Sequence, residues 1–344
     1  MLTMRQKKVV WLKPTKGNIS IGRILISEWL IRNGFDVEIY ECSWFAIFKV
    51  FFKILKEDFD VVIGTTHLGL AIGGLIKILK KKKFVADFVD KYDVLFVDLK
   101  GFKKIFGYIV VLLQKFSLKV ADAVVVIPKE IYEELRRKRP MVFKTNLCIE
   151  LENFRNARRS KKILEKFKKI NTERPKVIYV GGFSEVYNLD LLLKSMKFLP
   201  DFQLIMIGGG KLERDLKKLV RDLNLRNVKF LGYLPNKVVA EIMKSCDVGI
   251  TLCKIPRQLK IYEYLAADLS VVVPESVLNN GDFEFCDYCI GVKLNPKDIS
   301  EGIKTAVQTK VRKDNHLMAL LEKYSCKIVA EMYKRVIELI GDKP

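Results

Sequence analysis

The sequence predicts an α/β fold built on two doubly wound parallel sheets. Short β-branched runs alternate with amphipathic stretches along nearly the whole chain, the pattern of successive βα units. Ser270–Val273 is a β-branched run ended by Pro274, as a strand buried on both faces requires. The rhythm breaks once, in the Lys/Arg-rich stretch Arg155–Arg174, and then restarts. The chain is therefore expected to divide into domains over residues 1–157 and 158–325. A last helix, over 326–344, is long enough to cross back to the first domain.

Lys8–Leu12 reads as the first strand, Lys13–Asn18 as a turn-rich loop, Ile21–Asn33 as a helix stopped by Gly34, and Asp36–Tyr40 as the second strand. Gly17 and Asn18 lie in the loop at the carboxyl end of strand one, where open α/β sheets receive ligands, and are the expected acceptor loop. That loop lacks a full G-x-G-x-x-G. Trp44–Lys56 holds aromatics at 44, 45, 48, 51 and 52, with lysines at 49, 53 and 56 sharing one helical face. Two readings stand. It is a membrane-interface helix in contact through Trp44, Phe45, Phe48, Lys49, Phe52 and Lys53, or a core-packed helix with one wet face. Ile105–Leu113 is a second apolar stretch flanked by lysines. Val61–Gly64, Phe84–Phe88 and Asp122–Ile127 are strands; Leu68–Leu79 and Lys129–Arg139 are helices. Asp90 and His67 each follow a strand and are the candidate catalytic residues, although a histidine at a sheet edge also serves structure alone.

In the second half, Lys176–Val180 is a strand followed by Gly181-Gly182, and Phe202–Ile207 ends in the run Gly208–Gly210. Backbone approaches phosphate closely where side chains are absent. Strands follow at Val228–Leu231, Asp247–Leu252 and Tyr288–Val292, with helices between them. Arg257–Glu275 reads as a basic loop, a short helix and a buried strand. Arg257 and Lys260 stand at the helix start, where unpaired backbone N–H groups attract anions. Glu263, one turn further in, can accept hydrogen bonds from sugar hydroxyls. Together with the two glycine turns this constellation suits a nucleoside diphosphate.

Composition sets the outer limits. The 344 residues are 49% apolar, with 20 Gly and 10 Pro, so a sizeable core is available and a linker-dominated class is excluded. A formal charge of +22 implies an anionic partner, or else a lysine-rich solvated surface. The seven cysteines show no complete zinc pattern: only Cys286 and Cys289 have the spacing, and no second pair joins them. Asp58 and Asp60 precede their strand rather than follow it, so no metal site is expected. Free thiols and the polar start Met1–Lys8 point to the cytoplasm. Val61–Leu79 comes nearest to a membrane span, but His67, Lys77 and frequent glycines interrupt it.

The segments at 177–195, 202–210, 227–235, 245–250 and 259–274 resemble, in order and spacing, the GT-B glycosyltransferases of the large retaining family 4. DVVIGTTHLGL (60–70), KVADAVVVI (119–127) and NLCIELENF (146–154) extend the likeness to the first half. The resemblance implies two Rossmann-like domains facing each other across a cleft. It also implies a nucleotide-sugar donor, UDP- or GDP-linked, bound as substrate with no cofactor. Glu263 matches the ribose-binding glutamate and Lys260 the diphosphate site; Gly181 and Gly182 match the turn beneath the diphosphate, and Tyr233 the nucleobase-flanking strand end. With Tyr187, Gly209 and Arg257 these residues make the expected donor site.

Five positions depart from the family pattern. Ile255 stands for a second glutamate, Gly182 for an arginine, Tyr187 for a lysine, Val89 for a histidine and Asp268 for a glycine. The leading expectation is transfer of a sugar, with retention, to a lipid-linked or membrane-held acceptor at an anionic membrane surface, by a peripheral cytoplasmic enzyme. The departures keep a rival open, a subunit that binds a partner or nucleotide without turnover. A nucleic-acid role is not expected, because the basic residues are spread along the chain with no binding module.

Overall fold

The computed structural model describes residues 6–15, 18–89, 95, 101, 103–167, 170–255, 258–281, 283–309 and 314–341. The chain forms two compact units, one of Met1–Cys148 with Ser325–Pro344 and one of Ile149–Tyr324. The division falls at Cys148/Ile149 rather than at 157/158, because Ile149, Leu151 and Phe154 are buried in the core of the second unit.

The first unit runs β1 (Lys8–Pro14), α1 (Asn18–Arg32), β2 (Asp36–Cys42), α2 (Ile47–Leu55), β3 (Val61–Thr65), α3 (Thr66–Lys80), β4 (Lys83–Phe88), α4 (Lys103–Val120), β5 (Ala123–Val126), α5 (Lys129–Arg136) and β6 (Val142–Lys144). All six strands are parallel, in the order β2-β1-β3-β4-β5-β6. In the second unit come α6 (Leu151–Arg155), α7 (Lys161–Glu165), β7 (Lys176–Val180), α8 (Leu189–Ser195), β8 (Gln203–Ile207), α9 (Glu213–Asp222), β9 (Val228–Gly232) and α10 (Asn236–Lys244). It continues through β10 (Val248–Ile250), α11 (Leu259–Ala266), β11 (Ser270–Pro274), α12 (Glu275–Leu278), β12 (Cys289–Val292), α13 (Pro296–Gln308) and α14 (Asn315–Glu322). Its parallel order is β12-β11-β10-β7-β8-β9, a doubly wound sheet whose strand order reverses between β7 and β10. The last helix, α15 (Cys326–Gly341), belongs to the first unit and packs along α1.

Each sheet is covered on both faces, which is why its strands are apolar throughout. In the first unit, Val10, Leu12, Val62 and Phe84 face one layer, with Ile54 of α2. Val9, Trp11, Ile63 and Val85 face the other, with Ile26 and Leu30 of α1 and Tyr333 and Val336 of α15. A charged pair sits inside this layer. Asp87 of β4 is fully buried and takes Arg23 Nε and Nη2, each at 2.7 Å, the Thr65 hydroxyl at 2.6 Å and the Tyr333 hydroxyl at 2.7 Å. Thr65 Oγ1 in turn accepts from Trp11 Nε1 at 2.8 Å. Burial opposes the charge on Arg23, but Asp87 and Tyr333 outweigh it and hold the guanidinium ionised.

Short elements carry too few periods to show in a sequence. The three-residue β6 and the five-residue α6 and α7 are examples. Of the stretch expected as a helix or linker over Arg155–Arg174, only Lys161–Glu165 is helical among the described residues.

Replacing Asp87 by Asn leaves Arg23 buried without its counter-charge and is expected to cost about 3–5 kcal/mol. Tyr333→Phe removes one hydrogen bond and is expected to cost about 1 kcal/mol. Urea unfolding of the purified variants, followed by circular dichroism, reads both.

Candidate nucleotide-binding site

The strand order reverses between β7 and β10, where open α/β sheets receive ligands, and at the carboxyl ends of those strands Gly181, Tyr187 and Lys260 lie against one another. Gly181 follows β7 at φ +146°, a backbone that L side chains rarely adopt, and a Cβ there would lie 2.5 Å from Lys260 Nζ. Gly208 follows β8 at φ +119°, and its Cβ would lie 2.1 Å from the Gly181 carbonyl oxygen. Backbone bonds knit the strand ends together: Gly181 N donates to Ile207 O at 3.0 Å, Gly208 N to Gly232 O at 2.8 Å and Phe183 N to Gly209 O at 2.9 Å. Gly209 approaches the ring of Tyr233, itself 80% exposed.

Lys260 reaches this place from the first turn of α11 and is buried. Its Nζ lies 4.3 Å from the ring centroid of Tyr179 and 4.0 Å from that of Tyr187, and it donates to the Tyr179 hydroxyl at 3.2 Å. That hydroxyl donates to the Gly182 carbonyl at 2.7 Å. Among the described residues no carboxylate comes within ion-pair distance of Lys260, so two aromatic faces and a phenol hold its charge. Burial pushes the amine down to about 7, with Cys253 and Glu263 acting the other way. Glu263, one turn on, is partly exposed and has no hydrogen-bond partner among the described residues. Burial pushes its carboxyl up to about 7; Lys260 draws it down and Glu150 raises it further. A cation with no ion-paired carboxylate and a carboxyl with no hydrogen-bond partner among the described residues, beside close-packed glycine backbone, can take an anion and a hydroxyl group respectively.

Three further residues shape the site without a signal in the sequence pattern. Gln258, the residue before α11, accepts from Thr251 Oγ1 at 2.7 Å and donates to the carbonyls of Cys253 at 3.2 Å and Ile255 at 2.6 Å, fastening the loop after β10. Tyr264 accepts from Val180 N at 2.8 Å, and a Cβ on Gly249 would lie 2.4 Å from its ring. Asn188, at φ +48°, donates to Leu252 O at 2.9 Å and so ties the Tyr187 turn to the β10 loop. Tyr179 is invisible as a ligand-shaping residue because it reads as one more apolar strand position.

Other expected residues lie elsewhere. Asp90, Arg257 and Gly17 fall outside the described residues. Asn18 begins α1. His67 sits in the first turn of α3, its Nδ1 3.3 Å from Gln114 Nε2. Ile255 is 57% exposed, and Asp268 adopts φ +70°, a backbone that favours the glycine expected there. Among the described residues no group of three His, Cys, Asp or Glu side chains is placed to hold a metal ion.

Residues 160–318 match the family model described as glycosyl transferases group 1. The uncharacterised glycosyltransferase MJ1059 of Methanocaldococcus jannaschii is 24% identical over 300 residues, covering 75% of this chain and 70% of that one. Among solved structures, sucrose-phosphate synthase from Thermosynechococcus elongatus superposes with a TM-score of 0.75 at 15% identity, over 97% of this chain and 99% of the other. HepE of Anabaena, solved in complex with UDP and glucose, superposes with a TM-score of 0.71 at 12% identity, over 97% and 100%. The structural likenesses show the fold, the two Rossmann-like domains of the GT-B type. The family match over residues 160–318 and the likeness to MJ1059 support a glycosyltransferase. Residues 160–318 are its glycosyl transferases group 1 domain.

The two shifted groups give opposite pH signatures. Lys260 sits at about 7 in the folded protein against an ordinary 10.5, so from pH 7 to 10.5 the unfolded chain holds more protons and stability rises. Glu263 sits at about 7 against an ordinary 4.5, so from pH 4.5 to 7 the folded chain holds more protons and stability falls. Lys260→Met is expected to abolish the first trend and Glu263→Gln the second, read as the difference in unfolding free energy from wild type across pH 4–11.

Proposed function

We propose that the chain transfers a sugar from a UDP- or GDP-linked donor, with retention, to a lipid-linked or membrane-held acceptor. The observation that carries the donor half is Lys260, a buried cation without a carboxylate partner among the described residues, at the strand-order reversal of a glycosyl transferases group 1 domain. In this reading Lys260 and the backbone amides at Gly182 and the start of α11 hold the diphosphate, and Gly181 lets the backbone approach it closely. Stabilising the departing diphosphate is the main catalytic task, and fixed cations and helix-start dipoles perform it. Glu263 accepts from the ribose hydroxyls, and Tyr233 and Gly209 flank the base. Arg257 is expected to add a second cation, Gly17 and Asn18 to form the acceptor loop, and Asp90 and His67 to be the candidate catalytic residues. HepE was solved with UDP and with UDP-glucose, which supports a uridine donor for this chain.

The acceptor half rests on α2. Ile47, Val50, Phe51 and Ile54 face the core, yet Phe45 is 98% exposed, Phe48 74% and Phe52 60%. Trp44, Lys49 and Lys53 are exposed beside them. Core packing therefore leaves the outward aromatics unused, and an anionic bilayer supplies both an apolar layer for the rings and headgroups for the lysines. Ile105, Ile109 and Leu112 of α4 are exposed as well. Among the described residues no helix is long and apolar enough to cross a membrane. Gly182, Tyr187 and Ile255, where a second cation or carboxylate was expected, favour a second reading, nucleotide binding without turnover.

Thermal melting with UDP-, GDP-, ADP- and CDP-sugars tests the donor half. One nucleotide class is expected to raise the melting temperature of wild type, and Glu263→Ala to weaken its binding at least tenfold, about 1.4 kcal/mol. No shift with any donor would remove this reading; binding without sugar transfer to membrane lipids would favour the second. Flotation with phosphatidylglycerol vesicles tests the acceptor half. Phe48→Ser with Phe52→Ser is expected to lower bound protein about tenfold without changing donor binding, and equal flotation of both proteins would count against α2.

A further inference from the structure

Cys148 is the last residue of the first unit before the chain enters the second, and Cys326 opens α15 just after the chain returns at Ser325. The two lie 178 positions apart in sequence, yet their Sγ atoms are 2.6 Å apart. Neither is joined in a disulfide. A disulfide bond is about 2.05 Å long, so a small side-chain adjustment would join them. Their accessibilities differ usefully. Cys148 is buried against α1, its thiol donating to the Gly22 carbonyl at 3.4 Å, whereas Cys326 is partly exposed. Three of the remaining cysteines, Cys42, Cys246 and Cys289, are less suited to exchange. Burial pushes the Cys42 thiol up to about 12 and those of Cys246 and Cys289 higher still, so their thiolates are scarce.

We propose that Cys148 and Cys326 form a cross-linking site, oxidised by a small-molecule disulfide. The Cys326 thiolate attacks one sulfur of the reagent, forming a mixed disulfide and releasing one thiolate. The Cys148 thiolate then attacks Cys326 Sγ and releases the second. Two protein thiols and one reagent disulfide become one protein disulfide and two reagent thiols, so the electrons taken from the cysteines reduce the reagent. The new bond ties the first turn of α15 to the segment that packs on α1. It also closes the whole second unit into a covalent loop rooted in the first. Long closed loops restrict the unfolded chain most, so the oxidised protein gains stability.

Glutathione disulfide at pH 8, acid quench, alkylation under denaturing conditions and mass spectrometry test the site. The expected result is that all cysteines but two are alkylated. A non-reduced digest is expected to contain one peptide pair joined through Cys148 and Cys326. The oxidised protein is also expected to melt several degrees higher than the reduced one, a gain absent from Cys326→Ser. Full alkylation of all seven cysteines, a glutathione adduct on Cys326 without the internal link, or a different pairing would each overturn the proposal. None of these readouts requires donor binding or sugar transfer.

Discussion

The first unit depends on one buried carboxylate. Asp87 lies at the end of β4, and the side chains it draws in come from α1, β3 and α15. An isolated charge inside an apolar layer would be prohibitive, and one pair of hydrogen bonds would not offset it. Four donors close around its two oxygens, so the charge is retained only when all three neighbouring elements are in place. The interaction therefore works less as a source of stability than as a condition on assembly. The helix that closes the chain must dock on α1 for Tyr333 to reach Asp87, and nothing local to α15 would impose that.

The second unit holds the opposite arrangement. Lys260 is also buried, but among the described residues it faces two aromatic rings, a phenol and glycine backbone rather than an ion-paired carboxylate. Its amine falls to about 7 where the Arg23 guanidinium stays charged. The two sites use the same ingredients, a buried cation beside tyrosine, and differ in whether the protein itself supplies the anion. Where it does, the site is structural. Where it does not, the missing counter-charge is the chemical description of what the site would accept. This difference, more than the glycine turns alone, separates a ligand site from an ordinary βα connection.

The strand pattern was legible because parallel strands buried on both faces leave long β-branched runs: β7 and the start of β11 fall where the sequence put them. The gathering of Gly181, Gly209, Lys260 and Glu263 could also be expected, since residues after successive parallel strands share one sheet edge. What was hidden is contact between side chains far apart in sequence. Asp87 in Lys83–Phe88 looked like a polar interruption in an apolar run, and nothing in that run names Arg23 or Tyr333 as its partners. Tyr179 alternates inward like its neighbours, so its role under Lys260 appears only when α11 is folded over it. Gln258 was passed over as part of a basic loop, although a polar residue just before a helix is a position where side chains commonly fix the entering chain.

The departures from the family pattern acquire a physical meaning in this geometry. An exposed arginine at 182 and lysine at 187 would meet a diphosphate as solvated cations, each weakened by water. Here Gly182 contributes a carbonyl to Tyr179, and Tyr187 contributes an aromatic face to Lys260. Among the described residues of this site the charge rests on one buried amine, in a low-dielectric setting where it acts more strongly on a ligand. The same setting makes that charge conditional on a proton, because an amine near 7 is ionised only in part at neutral pH. An arriving diphosphate would favour the protonated amine, so in the proposed reading donor binding and proton uptake at Lys260 would be linked through its burial.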